Sequence, residues 1–453
     1  MSDSEFLPVR KKYPGVAGTT IKAIDRKQTS VIHTSNCSRI VNDDPRNNPF
    51  KKEQESIMTP IDPKEFRDID PGWRLLMGPG PSDVPARVLQ AMAAPCIGHL
   101  DPYFLTTMNE TQQLLRLLFQ TANPLTIPVS ATGSAGMEAC LVNLVESGDE
   151  VVVAVNGVFG TRMCDIVNRI GGKLIRVDCE WGRAVDPEAV SRAVSSCSPK
   201  VVAVVNAETS TGAFTPLEDI ATIAHNAGAL FLVDCVTSLG GMDVAIDRVR
   251  VDAAYSGTQK CISCPPGLSP VTFSDAAVKA LEKRKTPVVS WYLDFGMVRD
   301  YWGNERKYHH TAPINMVYAI REALRIIAEE GLEARFARHR LNHHALVAGL
   351  ETMGLSMLVP EKERLPMLNA VRIPDGVNDL KVRKALLNNF AIEIGGGLGQ
   401  FAGKVWRVGL MGHTCRRRNV VLFLSALESV LAAEGFKPRP GAVASATAVY
   451  ESA

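Results

Sequence analysis

Short apolar segments alternating with stretches of helical period constrain this chain more than any other feature. The segments 126–130, 150–155, 173–178, 201–206, 229–234, 252–256 and 268–273 are each five or six residues long, and most are rich in Val, Ile or Leu. Between most of them lie the helical stretches 135–147, 160–170, 187–196 and 217–227. Strands that read as near-continuous apolar runs are buried on both faces, which is the signature of a mainly parallel sheet covered by helices. The chain is therefore expected to be α/β, with a mainly parallel seven-stranded sheet. Ligands of such sheets bind outside the carboxyl ends of the strands.

At 453 residues the chain is long enough for a large and a small domain. Residues 1–70 are polar, lack periodicity and carry Pro8, Pro14, Pro45, Pro49, Pro60 and Pro63, so they are expected to be a largely disordered or partner-wrapping extension. Its first forty residues are basic and rich in Ser and Thr, as in a transit peptide, but Asp3, Glu5 and Asp25 weigh against that. Met58 offers an alternative start. A large domain is expected over 71–330, a small C-terminal α+β domain over 331–440 and a tail over 441–453. Long helical periodicity from Ile314 to Met353 is interrupted at Gly331, and Ala370–Ile373 and Val405–Val408 read as strands of the small domain.

The composition excludes several classes. Charged residues are 22% and apolar ones 46%, and a net charge of +2 without a dense Lys/Arg stripe gives no reason to invoke nucleic acid. No apolar run reaches membrane-spanning length. The ten cysteines are scattered, as reduced thiols of an intracellular protein would be. Cys261-x-x-Cys264 has no second pair and is read as structural; His309-His310 has no carboxylate to complete a metal set. No metal site is expected.

Chemistry-bearing residues gather at one sheet edge. Asp234 ends a strand, and Lys260 follows the next one in Ser256-Gly257-Thr258-Gln259-Lys260. A lysine amine there can form a Schiff base with the aldehyde of pyridoxal phosphate, while an aspartate keeps its pyridine nitrogen protonated. Alone, the pair is equally a strand-end carboxylate and a turn lysine. Ala131-Thr132-Gly133-Ser134-Ala135-Gly136 opens a helix and suits either an anion or an ordinary cap. Phe159, between glycines after another strand, can stack on a flat ring or pack in the core. Glu208-Thr209-Ser210-Thr211-Gly212 offers hydroxyls to a ligand or to its own turn. Arg407, inside an apolar strand, needs a partner: a substrate carboxylate or an internal ion pair. A dinucleotide-dependent dehydrogenase lacks its GxGxxG fingerprint here.

Together these segments resemble the class V aminotransferases of pyridoxal-phosphate fold type I, and within them the alanine–glyoxylate/serine–glyoxylate (serine–pyruvate) aminotransferase family. The resemblance runs from about Leu75 to Gly435. Met77-Gly78-Pro79-Gly80-Pro81, Gly98-His99-Leu100-Asp101-Pro102, Phe119-Gln120-Thr121-x-Asn123-Pro124-Leu125 and the 208–212 turn carry it, with Asp234 to Gly241, Ser256 to Lys260, Tyr308 to Thr311 and Trp406-Arg407-Val408-Gly409. It implies Lys260 as the Schiff-base lysine, Asp234 at the pyridine nitrogen, Phe159 stacked on the ring and Thr209 at its hydroxyl. It implies phosphate contacts from Gly133, Ser134 and Gln259, joined by Tyr308 and Thr311 from the neighbouring subunit of a homodimer with shared sites. Arg407 matches the residue that grips the substrate carboxylate, and Gly80 and His99 fall on the substrate side. Animal relatives often have Trp at the Phe159 position and His at that of Ser134.

The implied reaction moves the amino group of L-alanine or L-serine to glyoxylate, with an amino acid and a 2-oxo acid as the small-molecule partners. Ureidoglycine–glyoxylate aminotransferases carry Gln and Asn where this chain has His99 and Tyr308, so that substrate is the alternative. A cysteine desulfurase usually has His before the lysine, where Gln259 stands here. The expected location is intracellular and soluble, cytoplasmic or, in a eukaryote, peroxisomal or mitochondrial.

Overall fold

The computed structural model describes residues 62–453, which divide into two units at Pro71/Gly72. The first contributes only residues 62–71 to the description, with a 3-10 turn at Pro63–Glu65. Met58 and the basic Ser/Thr-rich stretch lie outside the described residues.

Within Gly72–Ala453 a seven-stranded sheet is built from β1 (Leu125–Val129), β2 (Glu150–Val155), β3 (Lys173–Asp178), β4 (Val201–Val205), β5 (Leu230–Asp234), β6 (Ala253–Tyr255) and β7 (Ser269–Phe273). Their order is β1-β7-β6-β5-β4-β2-β3. All neighbouring pairs from β6 to β3 are parallel, and β7 runs antiparallel to both β1 and β6. Val151 to Val155 and Val201 to Val205 are almost wholly buried, so both faces of the middle strands are covered. Each such aliphatic side chain contributes about 1.5–3 kcal/mol on burial. Strand β3 differs because it forms the edge: Lys173, Arg176 and Asp178 are not buried, and charge on an edge discourages pairing with another sheet.

A second apolar core surrounds a three-stranded antiparallel sheet of β8 (Leu368–Arg372), β9 (Gly395–Gly396) and β10 (Val405–Gly409), in the order β8-β10-β9. The helical run entering it breaks at Gly331, whose φ of +81° separates Ile314–Glu330 from Leu332–Met353.

Two expectations of domain extent differ from the structure. Leu75 and Met77, expected in the first domain, pack in the second core, where Leu75–Leu76 pairs in parallel with Ile392–Glu393. The expected tail 441–453 contains the helix Ala442–Glu451, with Ala442 and Ala446 buried and Tyr450 Oη donating to Asn342 Oδ1 at 2.7 Å. Packing against Leu332–Met353 gives this short Ala-rich segment the partner surface that its own sequence does not advertise.

Candidate active site

The carboxyl ends of β1, β2, β4, β5 and β6 converge on a cavity of about 210 Å³ lined by Gly133, Ser134, Phe159, Thr209, Asp234, Gln259 and Lys260, among others. Asp234 is the last residue of β5, so its side chain leaves the sheet just where the strand ends. Tyr255 Oη donates to its Oδ2 at 2.7 Å, and the Val236 amide donates to Oδ1 at 2.8 Å. Burial nevertheless pushes the carboxyl up to about 7. Lys260 is pushed down to about 8, first by burial and then by the charge of Arg407, and its Nζ donates to the Pro79 carbonyl. A lysine so tuned is a usable nucleophile near neutral pH.

Close approaches explain two glycines. A Cβ on Gly80 would lie 2.6 Å from Lys260 Nζ, and Gly80 has φ +106°. A Cβ on Gly133 would lie 3.2 Å from Gly257 Cα, so the N-terminus of the helix Gly133–Leu144 can meet the turn that carries Lys260. Beside it, Gln259 Oε1 is a buried oxygen with no hydrogen-bond partner. Such an orphan is costly unless a ligand satisfies the amide, which on rotation presents its NH₂ instead.

Phe159 lies in the first turn of the helix Val158–Arg169, whose N-cap Gly157 has no side chain to offer. The caps come from the 208–212 turn instead. Ser210 Oγ accepts from the Val158 amide at 3.0 Å, and Glu208 Oε2 accepts from the Phe159 amide at 3.1 Å. Glu208 Oε1 in turn accepts from Ser210 Oγ at 2.6 Å, and burial raises the pKa of this carboxyl. Gly157 is required here by proximity, since a Cβ would fall 2.3 Å from Glu208 Cδ. Arg162, one turn on, has its Cζ 4.9 Å from the Phe159 ring centroid and donates to Ser134 Oγ at 2.9 Å.

The second core reaches the same region through Arg407 on β10. It donates from Nε to the Gly396 carbonyl at 2.7 Å and from Nη1 to the Thr209 carbonyl at 3.2 Å. The Thr209 and Thr237 hydroxyls share a hydrogen bond of 3.2 Å. Arg407 is 7% exposed and burial lowers it to about 10, yet no carboxylate among the described residues lies within 4.0 Å of it. An internal ion pair therefore does not account for it.

Among the sequence candidates that do not line this cavity, Gly80 and Arg407 adjoin Lys260 and Thr209, which do. His99, Tyr308 and Thr311 do not line it but cluster with one another: the His99 and Tyr308 rings are 5.1 Å apart, and Tyr308 Oη lies 3.5 Å from Thr311 Oγ1. Tyr308 is 58% exposed, as is neighbouring Trp291 at 62%. His309 stacks on Trp291 at 4.4 Å, and His310 Nε2 lies 2.7 Å from Ser130 Oγ. Burial, with His309 close by, lowers His310 to about 4, so it is neutral at physiological pH. Among the described residues no three His, Cys, Asp or Glu side chains are grouped as metal ligands, and Cys261 and Cys264 are free buried thiols.

Tyr255, Glu208 and Arg162 were not singled out from sequence as site residues. Tyr255 is a strand aromatic like any other until the fold sets its hydroxyl against Asp234, and Arg162 is one of many helix arginines.

Taken together, a tuned lysine, a strand-end carboxylate, a phenyl ring and a helix N-terminus beside an unsatisfied amide fit a flat heteroaromatic that carries an aldehyde and a phosphate. The comparisons with known proteins agree. The model of the family "Aminotransferase class-V" matches residues 74–416. The chain is 40% identical over 406 residues to an (S)-ureidoglycine–glyoxylate transaminase of Bacillus subtilis, covering 85% of this chain and 98% of that one. It is 38% identical over 363 residues to an alanine–glyoxylate aminotransferase of Drosophila melanogaster, covering 79% and 92%. The solved structure of an alanine–glyoxylate aminotransferase from Nostoc sp. superposes with a TM-score of 0.80 at 48% identity, covering 83% of this chain and all of the other.

Proposed function

Because the chain belongs to the class V aminotransferase family, we propose that it moves the amino group of L-alanine or L-serine to glyoxylate, giving glycine and pyruvate or hydroxypyruvate. Its cofactor is pyridoxal phosphate, which when bound takes up the electron pair left on the substrate α-carbon. Arg407 carries the reading. A buried guanidinium with no carboxylate within 4.0 Å among the described residues, and close enough to depress the Lys260 pKa, suits an α-carboxylate held beside the amine that does the chemistry.

The chain's own groups then divide the work. Lys260 Nζ would hold the cofactor aldehyde, and its free amine would move the proton at the substrate α-carbon. Asp234 holds the proton on the pyridine nitrogen, with Tyr255 fixing its carboxylate. Phe159 stacks on the ring, Thr209 meets its hydroxyl, and Gly133, Ser134 and Gln259 bind the phosphate. Gly80 leaves the space that the Lys260 side chain occupies. Donor amino acid and glyoxylate occupy one site in turn, so the kinetics are ping-pong. His99, Tyr308 and Thr311, which do not line their own cavity, serve the site of a second copy of the chain in a homodimer.

The identity to the Bacillus subtilis relative favours ureidoglycine as the second reading. Against it, His99 and Tyr308 stand where the ureidoglycine enzymes carry Gln and Asn, and two rings in contact offer a ureido group fewer partners. Alanine and serine differ by one hydroxyl, which an apolar pocket rejects only weakly. The test is spectroscopic and kinetic. The purified holoprotein should show a visible cofactor band that L-alanine or L-serine bleaches and glyoxylate restores. Rates with glyoxylate should be highest for alanine or serine; a higher rate with ureidoglycine would give the site to that substrate. Full turnover by Lys260→Ala would overturn the assignment altogether.

A further inference from the structure

The phosphate contacts proposed above contain no full positive charge. Gly133, Ser134, Gln259, Tyr308 and Thr311 are neutral, and so is nearby His310. The helix that starts at Gly133 offers roughly half a charge at its N-terminus, against about −1.5 to −2 on a phosphate monoester at neutral pH. Among the residues lining the cavity only Lys260 and Arg162 are cationic, and Lys260 is committed to the aldehyde end.

Arg162 has the geometry for the missing charge. Its guanidinium lies over the Phe159 ring, 4.9 Å from the centroid, and reaches Ser134 Oγ at 2.9 Å. The neighbouring carboxylate on its own helix, Asp165, is taken by Arg169 at 2.8 Å. No carboxylate among the described residues lies within 4.0 Å of Arg162 itself. A surface arginine packed on a phenyl ring needs no further role, but one without a counter-ion that already holds a proposed phosphate ligand has an anion to meet.

We propose that Arg162 binds the cofactor phosphate. The guanidinium, braced on Phe159, supplies the positive charge beside the helix N-terminus and orients Ser134 as a second ligand. One face of the Phe159 ring is thereby occupied by Arg162, and the other is left to the cofactor ring. A single residue thus couples phosphate recognition to ring stacking. This rests on the reading that the cavity holds pyridoxal phosphate.

The experiment compares two probes that differ only in the phosphate. Dissociation constants of pyridoxal phosphate and of pyridoxal are measured by equilibrium dialysis for the cofactor-stripped full chain, for Arg162→Met and for Arg162→Lys, with circular dichroism to check folding. Loss of a hydrogen-bonded charge pair weakens pyridoxal phosphate by about 10- to 100-fold in Arg162→Met. Pyridoxal binding should stay within about twofold, since cation–π support is worth little at an exposed site. Arg162→Lys should fall between Met and wild type. An unchanged constant for pyridoxal phosphate, or an equal loss for both probes, would overturn the proposal. Failure of the wild type to bind pyridoxal phosphate at all would instead sink the functional reading on which it rests.

Discussion

Asp234 and Lys260 are displaced in opposite directions by the same cause. Burial disfavours whichever form is charged, so the carboxyl rises from 3.8 to about 7 and the ammonium falls from 10.5 to about 8. Without cofactor, the folded state therefore binds more protons than the unfolded one between about pH 4 and 7. The stability Asp234 contributes is present below that window and lost as the pH rises through it, up to a limit of about 4 kcal/mol. Between about pH 8 and 10.5 the folded state binds fewer protons because of Lys260, so stability rises with pH there. The cofactor-free protein should be least stable near pH 7–8 on account of these two groups. Melting temperatures across pH should lose the acid-side slope in Asp234→Asn and the alkaline-side slope in Lys260→Met; curves parallel to wild type would contradict this. Gly80→Ala makes a second prediction. Its Cβ would sit 2.6 Å from Nζ at a backbone φ of +106°, so the variant should fold yet lose at least about 10-fold in kcat, with a shifted visible cofactor band. At this scale Asp234, Lys260 and Arg407 were legible from their places in strands and turns. Tyr255, Glu208 and Arg162 were not, because each acts through a contact with a residue far away in sequence.

Among the elements, the helix Val158–Arg169 carries both Phe159 and Arg162. Its N-terminus depends on Glu208 and Ser210 from another turn. Ser210→Ala should cost about 1 kcal/mol in urea denaturation, the usual worth of a lost cap. Glu208→Ala should cost more, about 2 kcal/mol, because it also strands the Ser210 hydroxyl and amide, and it should weaken pyridoxal phosphate binding. A variant that loses neither stability nor affinity would show that the turn does not brace the helix. Strands 150–155 and 173–178 were read to the residue, since unbroken aliphatic runs or clear boundaries leave little choice of span. The two-residue strand Leu75–Leu76 and the helix Ala442–Glu451 were missed: too short or too weakly periodic to signal themselves, they exist through their packing partners.

On the scale of the whole molecule, the cavity around Lys260 and the aromatic cluster around Tyr308 are formed by different residues of the chain. His99, Tyr308 and Thr311 stay off their own cavity, and Tyr308 and Trp291 leave large aromatic faces exposed. If two copies exchange these clusters, Lys260→Ala and a Tyr308→Ala/Thr311→Ala chain should complement each other. Co-assembled in equal amounts, half of the symmetric dimers are mixed and each has one intact site, so about a quarter of wild-type activity should return. No recovery above the separate variants would place all contributions within one chain. Among the described residues no helix is long and apolar enough to cross a membrane.

The amino-acid sequence alone settled the mainly parallel sheet, the edge where chemistry collects, and the lysine and aspartate on that edge. Apolar runs, turn residues and strand ends are local properties, written within a few consecutive positions. What lies opposite those residues was decided by the fold. The Tyr255 hydroxyl against Asp234, the Glu208 carboxylate under Phe159 and the Arg162 guanidinium at Ser134 each join segments that the chain brings together only when the sheet closes. The same is true of Arg407, whose strand belongs to the second core but whose guanidinium meets the Thr209 carbonyl in the turn that follows β4. Local periodicity carries no information about such pairings, because they are set by how helices and strands cross in space.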